Sequence, residues 1–482
     1  MQLKRRWWLN LWEIGLLCLA YYGPMQDVDL GWHLRYGQYF WQTGQVLKQN
    51  SFSYWLPDYV WPNHSWGYDV LIYPLYARTG LTGLAWLAAL IAGLGWWLIW
   101  HRQTTAVKLW GWLISWWLSF FLLGQGLKSQ LLSWFVWVCL AVLLRQMTTW
   151  RWWWLPLIFL LWSNLHGQFV LGLGLVWLFI FLSDWSQTHD WQSVINRRWR
   201  PLAATALALV VNPYGWQVLR QSFVYLNSSV LQQVSEWRPW PHDSWLWYLV
   251  VITWLMAWWG SNKLTTHGWA VRLWLLLLGY WSWQARRMIP WLLVVSLPLA
   301  VNQLARFFSQ RWPRLAVRRY NLMLVVLLLG GSWGMKWRTT QWRPQTWQDY
   351  CATEIACSVS ALQFLKQHRM PGQMLNPYRW GGWLIWHYPE KPVWIDGRMT
   401  LWQDRQGQYL MPQYRAVIDA QPGVERQLDR WQFGFALLHP GYPLTRYLAQ
   451  VQAWPVVYQD QTSVILVNPR FYDAFANSEP TN

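Results

Sequence analysis

Apolar residues run in long, closely spaced segments from residue 7 to about 337, and a stretch of mixed polarity follows from 340 to 482. The apolar segments fall at roughly 7–24, 80–100, 109–124, 131–146, 152–164, 169–184, 201–213, 245–260, 272–284, 289–303 and 320–337. These are eleven predicted membrane-spanning helices. Several are shorter than the ~20 residues a straight crossing needs, so they must draw on their flanks. The tail has another rhythm. Ser358 to His368 has a helical pattern, then strand and helix signals alternate through Gln373–Leu375, Pro392–Ile395, Tyr409–Ala420, Val424–Trp431, Phe433–Leu438, Leu444–Val451, Val456–Tyr458 and Val464–Val467. Such alternation predicts a small α/β domain. The expected organisation is a polytopic α-helical membrane domain over 1–338, with a first outer loop at 25–66, and an extracytoplasmic α/β domain over 339–482.

Lysine and arginine orient this chain. With the N-terminus inside, the inner loops carry seventeen basic residues, among them Lys4, Arg5, Arg6, Arg145, Arg151, Lys263 and Arg314, and the outer loops before the tail carry eight. The positive-inside rule then puts residues 25–66 and the tail outside. A net charge of +19 is explained by this topology. No basic patch with interleaved aromatics stands apart from the membrane loops, so no nucleic-acid partner is expected. The basic start followed by an apolar run has no small-residue cleavage site and is read as a span, not a signal peptide. The chain is Trp-rich, with 52 tryptophans, and many flank apolar runs, where indole suits the headgroup interface. Those inside the runs have packing as their only evident purpose. Four cysteines are too few for a disulfide scaffold. Cys18 and Cys139 lie in apolar runs, and Cys351 and Cys357 can bridge if their segment is extracytoplasmic.

On this topology the unusual polar residues gather at the outer face. Asp27, Asp29 and His33 follow the first span, and charges at the mouth of a helix bundle are functional candidates by default. Asn63 and His64, Lys128 and Gln130, Asn164 and His166, Asn212-Pro-Tyr-Gly215, Glu236-Trp-Arg238 and Arg286-Arg287 share that side. The inner loops hold fewer such residues, namely His101, His189, Asp190 and His267. Each candidate has a plainer reading. Asp27 or Asp29 can cap the helix that Trp32 to Phe40 forms. Asn63 and His64 can brace their loop, Asn212-Pro-Tyr-Gly is a turn by composition, and Arg286-Arg287 can snorkel to headgroups or hold a lipid phosphate.

The tail's most distinctive stretch is Asn376-Pro-Tyr-Arg-Trp380-Gly-Gly-Trp-Leu-Ile-Trp-His387, followed by Pro392-Val-Trp-Ile-Asp396-Gly-Arg398. A strand ending in Asp-Gly-Arg would present Asp396 and Arg398 at its carboxyl end, a frequent place for ligand contacts. The alternative is a tight turn with an internal Asp–Arg pair. Neither a phosphate-binding glycine loop nor a Gly-x-Ser-x-Gly elbow occurs, which argues against ATP-driven and serine-hydrolase chemistry.

Taken in order, Asp-x-Asp-x-x-Trp-His-Leu, Trp-x-Asn-x-x-Trp, Asn-Leu-His-Gly, Asn-Pro-Tyr-Gly, Glu-Trp-x-Pro, Arg-Arg-x-Ile-Pro, Trp-Gly-Gly-x-Leu-Ile-Trp and Ile-Asp-Gly-Arg resemble a bacterial family of polytopic membrane proteins of the GT-C glycosyltransferase-like superfamily. The likeness extends distantly to oligosaccharyltransferase catalytic subunits and protein mannosyltransferases. It implies transfer of a sugar from a polyprenyl-phosphate-type carrier at the outer face of the bacterial inner membrane, with an essential acidic residue in the first outer loop. That residue falls on Asp29 or Asp27, with His33 or His166 assisting. Arg286 and Arg287 then suit the carrier phosphate, with Asn63, His64, Asn164, His166, Asp396 and Arg398 as further substrate contacts. Two carboxylates, Asp29 and Glu236, would suit Mg²⁺ or Mn²⁺. The tail has Arg379-Trp380-Gly381-Gly382-Trp383 where oligosaccharyltransferases carry Trp-Trp-Asp-Tyr-Gly, so the aspartate of that motif is missing and its acceptor role does not carry over. The expected partners are the lipid bilayer and a polyprenyl-linked sugar donor. Two other readings compete: a lipid-glycan binder or flippase, which needs no base, and an assembly protein whose tail recruits partners. A secondary transporter would show paired internal repeats, and none is evident.

Overall fold

The computed structural model describes residues 2–124, 126–144, 152–262, 264, 268–311, 318–339, 342–353 and 355–477. The inner-loop residues Arg145, Arg151, Lys263, His267 and Arg314 lie outside the described residues. In chain order the helices of the first part are α1 (Gln2–Tyr21), α2 (Leu30–Thr43), α3 (Trp66–Trp100), α4 (Thr105–Leu123), α5 (Ser129–Leu144), α6 (Trp154–Leu165), α7 (Phe169–Thr188), α8 (Trp191–Ala208), α9 (Gln217–Asn227), α10 (Trp245–Ser261), α11 (Gly268–Gln284), α12 (Ile289–Arg311) and α13 (Arg318–Thr339). Each of the eleven apolar stretches finds a helix here. Three helical stretches among the described residues, Trp66–Trp100, Phe169–Thr188 and Arg286–Phe308, are long and apolar enough to cross a membrane by length and composition. Leu9–Tyr21, Ser129–Leu144 and Trp154–Leu165 are shorter apolar helices.

The chain forms two compact units. One comprises Met1–Met25, Thr82–Phe223 and Val234–Arg343; the other comprises Gln26–Leu81, Val224–Gln233 and Pro344–Asn482. The loop at 25–66 therefore packs with the tail, which sequence reading did not anticipate. Helix α3 is shared, and it kinks at Gly80, whose φ of 62° and ψ of −159° suit only glycine.

The first unit is a helix bundle. Trp96, Trp134, Trp137, Trp162 and Trp291 are fully buried in it, which answers what the mid-run tryptophans do. Their indole N–H groups also bond between helices: Trp96 to Ser119 Oγ (3.1 Å), Trp134 to Pro290 O (3.2 Å), Trp137 to Trp291 O (3.2 Å) and Trp162 to Ser133 Oγ (2.7 Å). In hydrocarbon a polar N–H must find such a partner. Other large side chains point outward, including Leu161, Leu207, Trp259, Trp269 and Leu327, each at least 57% exposed. An outer surface of this kind suits lipid. Between the end of α7 and the first half of α8, Arg198 Nε meets Asp184 Oδ2 at 2.5 Å, burying an ion pair.

The second unit contains α14 (Trp347–Cys351), α15 (Val359–Gln367), α16 (Gly381–His387), α17 (Leu410–Ile418), α18 (Val424–Trp431), α19 (Pro443–Gln450) and α20 (Tyr472–Ala476), around strands β1 (Gln373–Leu375), β2 (Phe433–Leu438), β3 (Val456–Gln459) and β4 (Val464–Val467). The sheet order is β1-β2-β4-β3; β1 and β2 are parallel, and the other pairings are antiparallel. Every residue of β2 and β4 is buried. Ser358 caps α15 by accepting from Ala361 N at 2.9 Å, where the helix was expected. Cys351 and Cys357 form a disulfide.

One expected strand is corrected. Pro392–Ile395 does not join the sheet. Instead Val393 bridges to Ser53 of the first outer loop, donating from its N–H to Phe52 O at 3.0 Å and accepting from Tyr54 N at 3.2 Å. Asn376 holds the other edge, its Oδ1 accepting from Trp394 N at 2.7 Å and its Nδ2 donating to Ile395 O at 2.9 Å. With both edges satisfied in this way, the segment has no need of a sheet neighbour.

Candidate functional site

Asp29 stands at the N-cap position of α2, yet its side chain makes no capping bond. Its Oδ1 instead accepts from Trp32 Nε1 at 2.9 Å. Asp27, 5% exposed, accepts from the Asp29 amide through Oδ1 at 3.2 Å, and its own carbonyl accepts from Tyr350 Oη at 2.6 Å. Burial, then the nearby Asp27 and Asp29 charges, push the Tyr350 phenol well above its ordinary range, so it stays a donor. Asp29 remains partly exposed. It is thus the more accessible carboxylate on a frame of buried partners.

His33 lies one turn further along α2, with its amide bonded to Asp29 O at 3.2 Å. Its Nδ1 shares a hydrogen bond with Asp69 Oδ1 at 2.5 Å. Asn63 Nδ2 donates to the second oxygen of Asp69 at 2.7 Å, while Asn63 Oδ1 accepts from Ser65 N at 2.9 Å. All three side chains are buried. Asp69 was missed from sequence because it sits in the first turn of an apolar helix. Its spacing of six from Asn63 was the available signal. His64 does not share this knot; its ring faces Tyr225 at 5.8 Å.

Burial lowers the His33 imidazole to about 3, with Asp27 pulling the other way. The ring is therefore uncharged at neutral pH and braces Asp69 and α2. An unfolded chain takes up this proton as pH falls through 6.5, and the folded chain does so only near 3. Burial also pushes the partner Asp69 carboxyl well above its ordinary range, which favours stability toward low pH, so the two contributions oppose each other on acidification. His33→Gln should lower the thermal midpoint of the purified protein, checked by a melting curve at neutral pH.

Asp396 and Arg398 are turned inward. Arg398 Nε donates to Asp396 Oδ1 at 2.8 Å and Nη2 to Oδ2 at 2.7 Å, with both residues at most 3% exposed. Asn50 Oδ1 accepts a further bond at 3.2 Å, and Phe52, Trp61 and Trp402 surround the guanidinium at 4.8–5.4 Å. The expectation that a strand presents this pair to a ligand is replaced by a turn with an internal ion pair, because Pro392–Ile395 leads into the unit's interior.

The bundle unit carries a small polar cleft, lined by Lys128, Gln130, Gln168 and Arg287 among the apolar Trp134 and Trp291. Arg287 lies 3.6 Å from Glu236 Oε1 and stacks 4.0 Å from the Trp237 ring centre. Gln130 Nε2 donates to both Glu236 oxygens at 3.1 Å. Burial alone would raise the Glu236 carboxyl, but Arg287, Lys128, Gln130 and Arg286 outweigh it and hold the group below its ordinary range. Arg286 also fixes the backbone, its N–H donating to Arg238 O at 2.9 Å.

Asn164 and His166 make bonds within the bundle. Asn164 Nδ2 donates to Leu160 O at 2.7 Å and Val211 O at 3.0 Å, and His166 Nδ1 pairs with Ser133 Oγ at 2.9 Å. Among the described residues, no group of three or more His, Cys, Asp and Glu is arranged to hold a metal ion. Asp29 and Glu236 belong to different units, and Glu236 already has both oxygens engaged.

No family model matches the chain, and no curated protein matches it in sequence. Solved structures do resemble it. The Archaeoglobus fulgidus oligosaccharyltransferase in its apo form has TM-score 0.53 and 9% identity, over 89% of this chain and 69% of that one. Archaeal oligosaccharyltransferase AglB from Archaeoglobus fulgidus, in complex with an inhibitory peptide and a dolichol-phosphate, has TM-score 0.56 and 8% identity, over 99% and 76%. ArnT from Cupriavidus metallidurans in the apo state has TM-score 0.52 and 11% identity, over 97% and 98%. The shared feature at such identities is the fold, and this chain has the fold of those oligosaccharyltransferase and ArnT structures.

Proposed function

We propose that the protein is an integral-membrane glycosyltransferase that moves a sugar from a polyprenyl-phosphate-type carrier to an acceptor at the outer face of a bacterial inner membrane. The observation that carries this reading is the ordered Asp27–Asp29–His33–Asp69 knot in a chain of GT-C fold. Asp29 is the base: it takes the proton of an acceptor hydroxyl as that oxygen bonds to the anomeric carbon. The carrier phosphate leaves with the electron pair of the broken C–O bond. Asp27, Trp32 and Tyr350 hold the base in place, while His33 stays neutral and braces the loop.

Within the bundle unit, Lys128 and Arg287 are cations on the wall of an aromatic-lined cleft whose chemistry suits an isoprenoid phosphate. Arg287→Ala should raise the half-saturating concentration of a polyprenyl-phosphate sugar about 10- to 100-fold, as loss of a charged hydrogen bond implies, with a smaller effect on turnover. Steady-state transfer kinetics check this.

The topology has eleven crossings, with the N-terminus cytoplasmic and the α/β domain outside. Support comes from the asymmetry of basic residues and from the Cys351–Cys357 disulfide, which belongs in an oxidising compartment. The test is transfer of radiolabel from a panel of polyprenyl-linked sugars by the purified protein in nanodiscs. Labelled product upholds the reading. Label that stays on a bound carrier would overturn it in favour of a lipid-glycan binder or flippase.

A further inference from the structure

Two glycine-bearing segments of the second unit close on the turn that carries Asp29, which holds a third glycine, Gly31. A Cβ added to Gly382 would lie 3.4 Å from Asp29 Cα and 3.4 Å from Trp32 Cδ1, against the carbonyl of Val28. One on Gly31 would lie 3.1 Å from Trp383 Cα. One on Gly397 would lie 2.7 Å from Asp29 Cγ and 3.0 Å from Oδ2, and would run into Oδ1. The Asp29 carboxylate therefore rests directly on the backbone of the Asp396-Gly397-Arg398 turn. That turn is itself fixed. Asp396 Oδ1 accepts from Arg398 N at 3.0 Å, Tyr378 Oη donates to Gly397 O at 3.2 Å, and a Cβ on Gly381 would meet Asp396 Cβ at 2.6 Å.

We infer that Gly397 is a positioning residue for Asp29, so that the C-terminal α/β domain is a working part of the catalytic site and not a separable docking module. The inference rests on the proposed role of Asp29 as base. Its physical content is that glycine alone lets the turn approach closely enough to set where the carboxylate points. An added methyl forces the carboxylate aside, and a displacement of about 1 Å costs on the order of 10²-fold in rate.

The test uses the full-length protein in nanodiscs. Gly397→Ala should lower kcat for sugar transfer about 100-fold while KM for the lipid donor and the thermal midpoint hold near wild type. Gly174→Ala, at a helix position where a Cβ meets nothing within 4 Å, should leave both kinetic constants unchanged. In an Asp29→Asn background, Gly397→Ala should add no further loss, because both changes act through one group. A Gly397→Ala enzyme with wild-type kcat would overturn the inference. So would a loss that adds in full to that of Asp29→Asn, which marks a general structural defect. The contact is also testable without activity. The double variant Asp29→Cys/Gly397→Cys should form a disulfide on mild oxidation, identified by mass spectrometry of the linked peptides. Failure to cross-link, with each single-variant thiol reactive, would overturn the contact even in a protein that transfers sugar. A protein that cross-links yet transfers no sugar would overturn the glycosyltransferase reading and the catalytic role inferred for Gly397 with it.

Discussion

Replacing Asp29 by Asn should lower the turnover number for sugar transfer by about 10²- to 10⁴-fold, the range a positioned general base contributes, and leave the lipid-donor KM almost unchanged. Asparagine keeps the shape of the side chain, and its Oδ1 can still accept from Trp32 Nε1, now 2.9 Å from the carboxylate. The α2 N-terminus loses nothing, since the Asp29 side chain makes no capping bond. The variant therefore removes the charge and the proton acceptor while keeping the side chain's shape, and its melting curve should stay close to that of the wild type. Asp27→Asn should be milder in rate and harsher in stability. Asp27 is 5% exposed and accepts the Asp29 amide, so its work is to shape the turn. A binder or flippase predicts the opposite pattern: Asp29→Asn would then move neither carrier binding nor transport. Single-turnover transfer measured beside carrier binding separates the two.

The elements were largely legible in the sequence because their causes are local. Long apolar runs became helices, Ser358 supplied a cap just before α15, and the alternation over 433–467 became β2, α19, β3 and β4. Asp27, Asp29 and His33 stood out as a polar cluster beside an apolar run, and the structure draws them into one hydrogen-bonded turn. What escaped was non-local. Pro392–Ile395 has the composition of a strand, but Asn376 and the segment around Ser53, more than 300 residues away, took its backbone groups. Asp69 sits in the opening turn of an apolar helix, and only the position of His33 gives it a purpose. Asn164 and His166 look like ligand residues in a one-dimensional reading. In three dimensions Asn164 holds the Leu160 and Val211 carbonyls and His166 pairs with Ser133 of α5, contacts that composition alone does not reveal. Gly382 and Gly397 carry no side chain to flag them, so their close approach to Asp29 is visible only in coordinates.

Arg398→Ala should destabilise the second unit by about 3–5 kcal/mol, the usual cost of removing one partner of a buried ion pair. The carboxylate of Asp396 is 0% exposed and would lose two hydrogen bonds, at 2.8 and 2.7 Å, keeping the Arg398 amide at 3.0 Å. Asn50 Oδ1 loses its guanidinium partner, and the space between Phe52, Trp61 and Trp402 empties. At roughly 2–4 °C per kcal/mol for a unit of this size, the midpoint should drop by roughly 6–20 °C. Arg398→Lys should recover little, because an ammonium cannot reproduce two parallel bonds to a carboxylate and stacks poorly among aromatic faces. Asp396→Asn combined with Arg398→Met should recover more, since it removes both charges and refills the aromatic cage. Recovery by the charge-free pair and not by lysine would show that the strain lies in the unpaired carboxylate. Activity supplies the second half of the test. The Asp396-Gly397-Arg398 turn supports the Asp29 carboxylate, so the charge-free pair should melt near wild type yet transfer sugar more slowly, with the loss in kcat and not in KM. Equal activity and stability would instead mean that the turn keeps its course without the ion pair, leaving close packing at Gly381 and Gly397 as what aims the base.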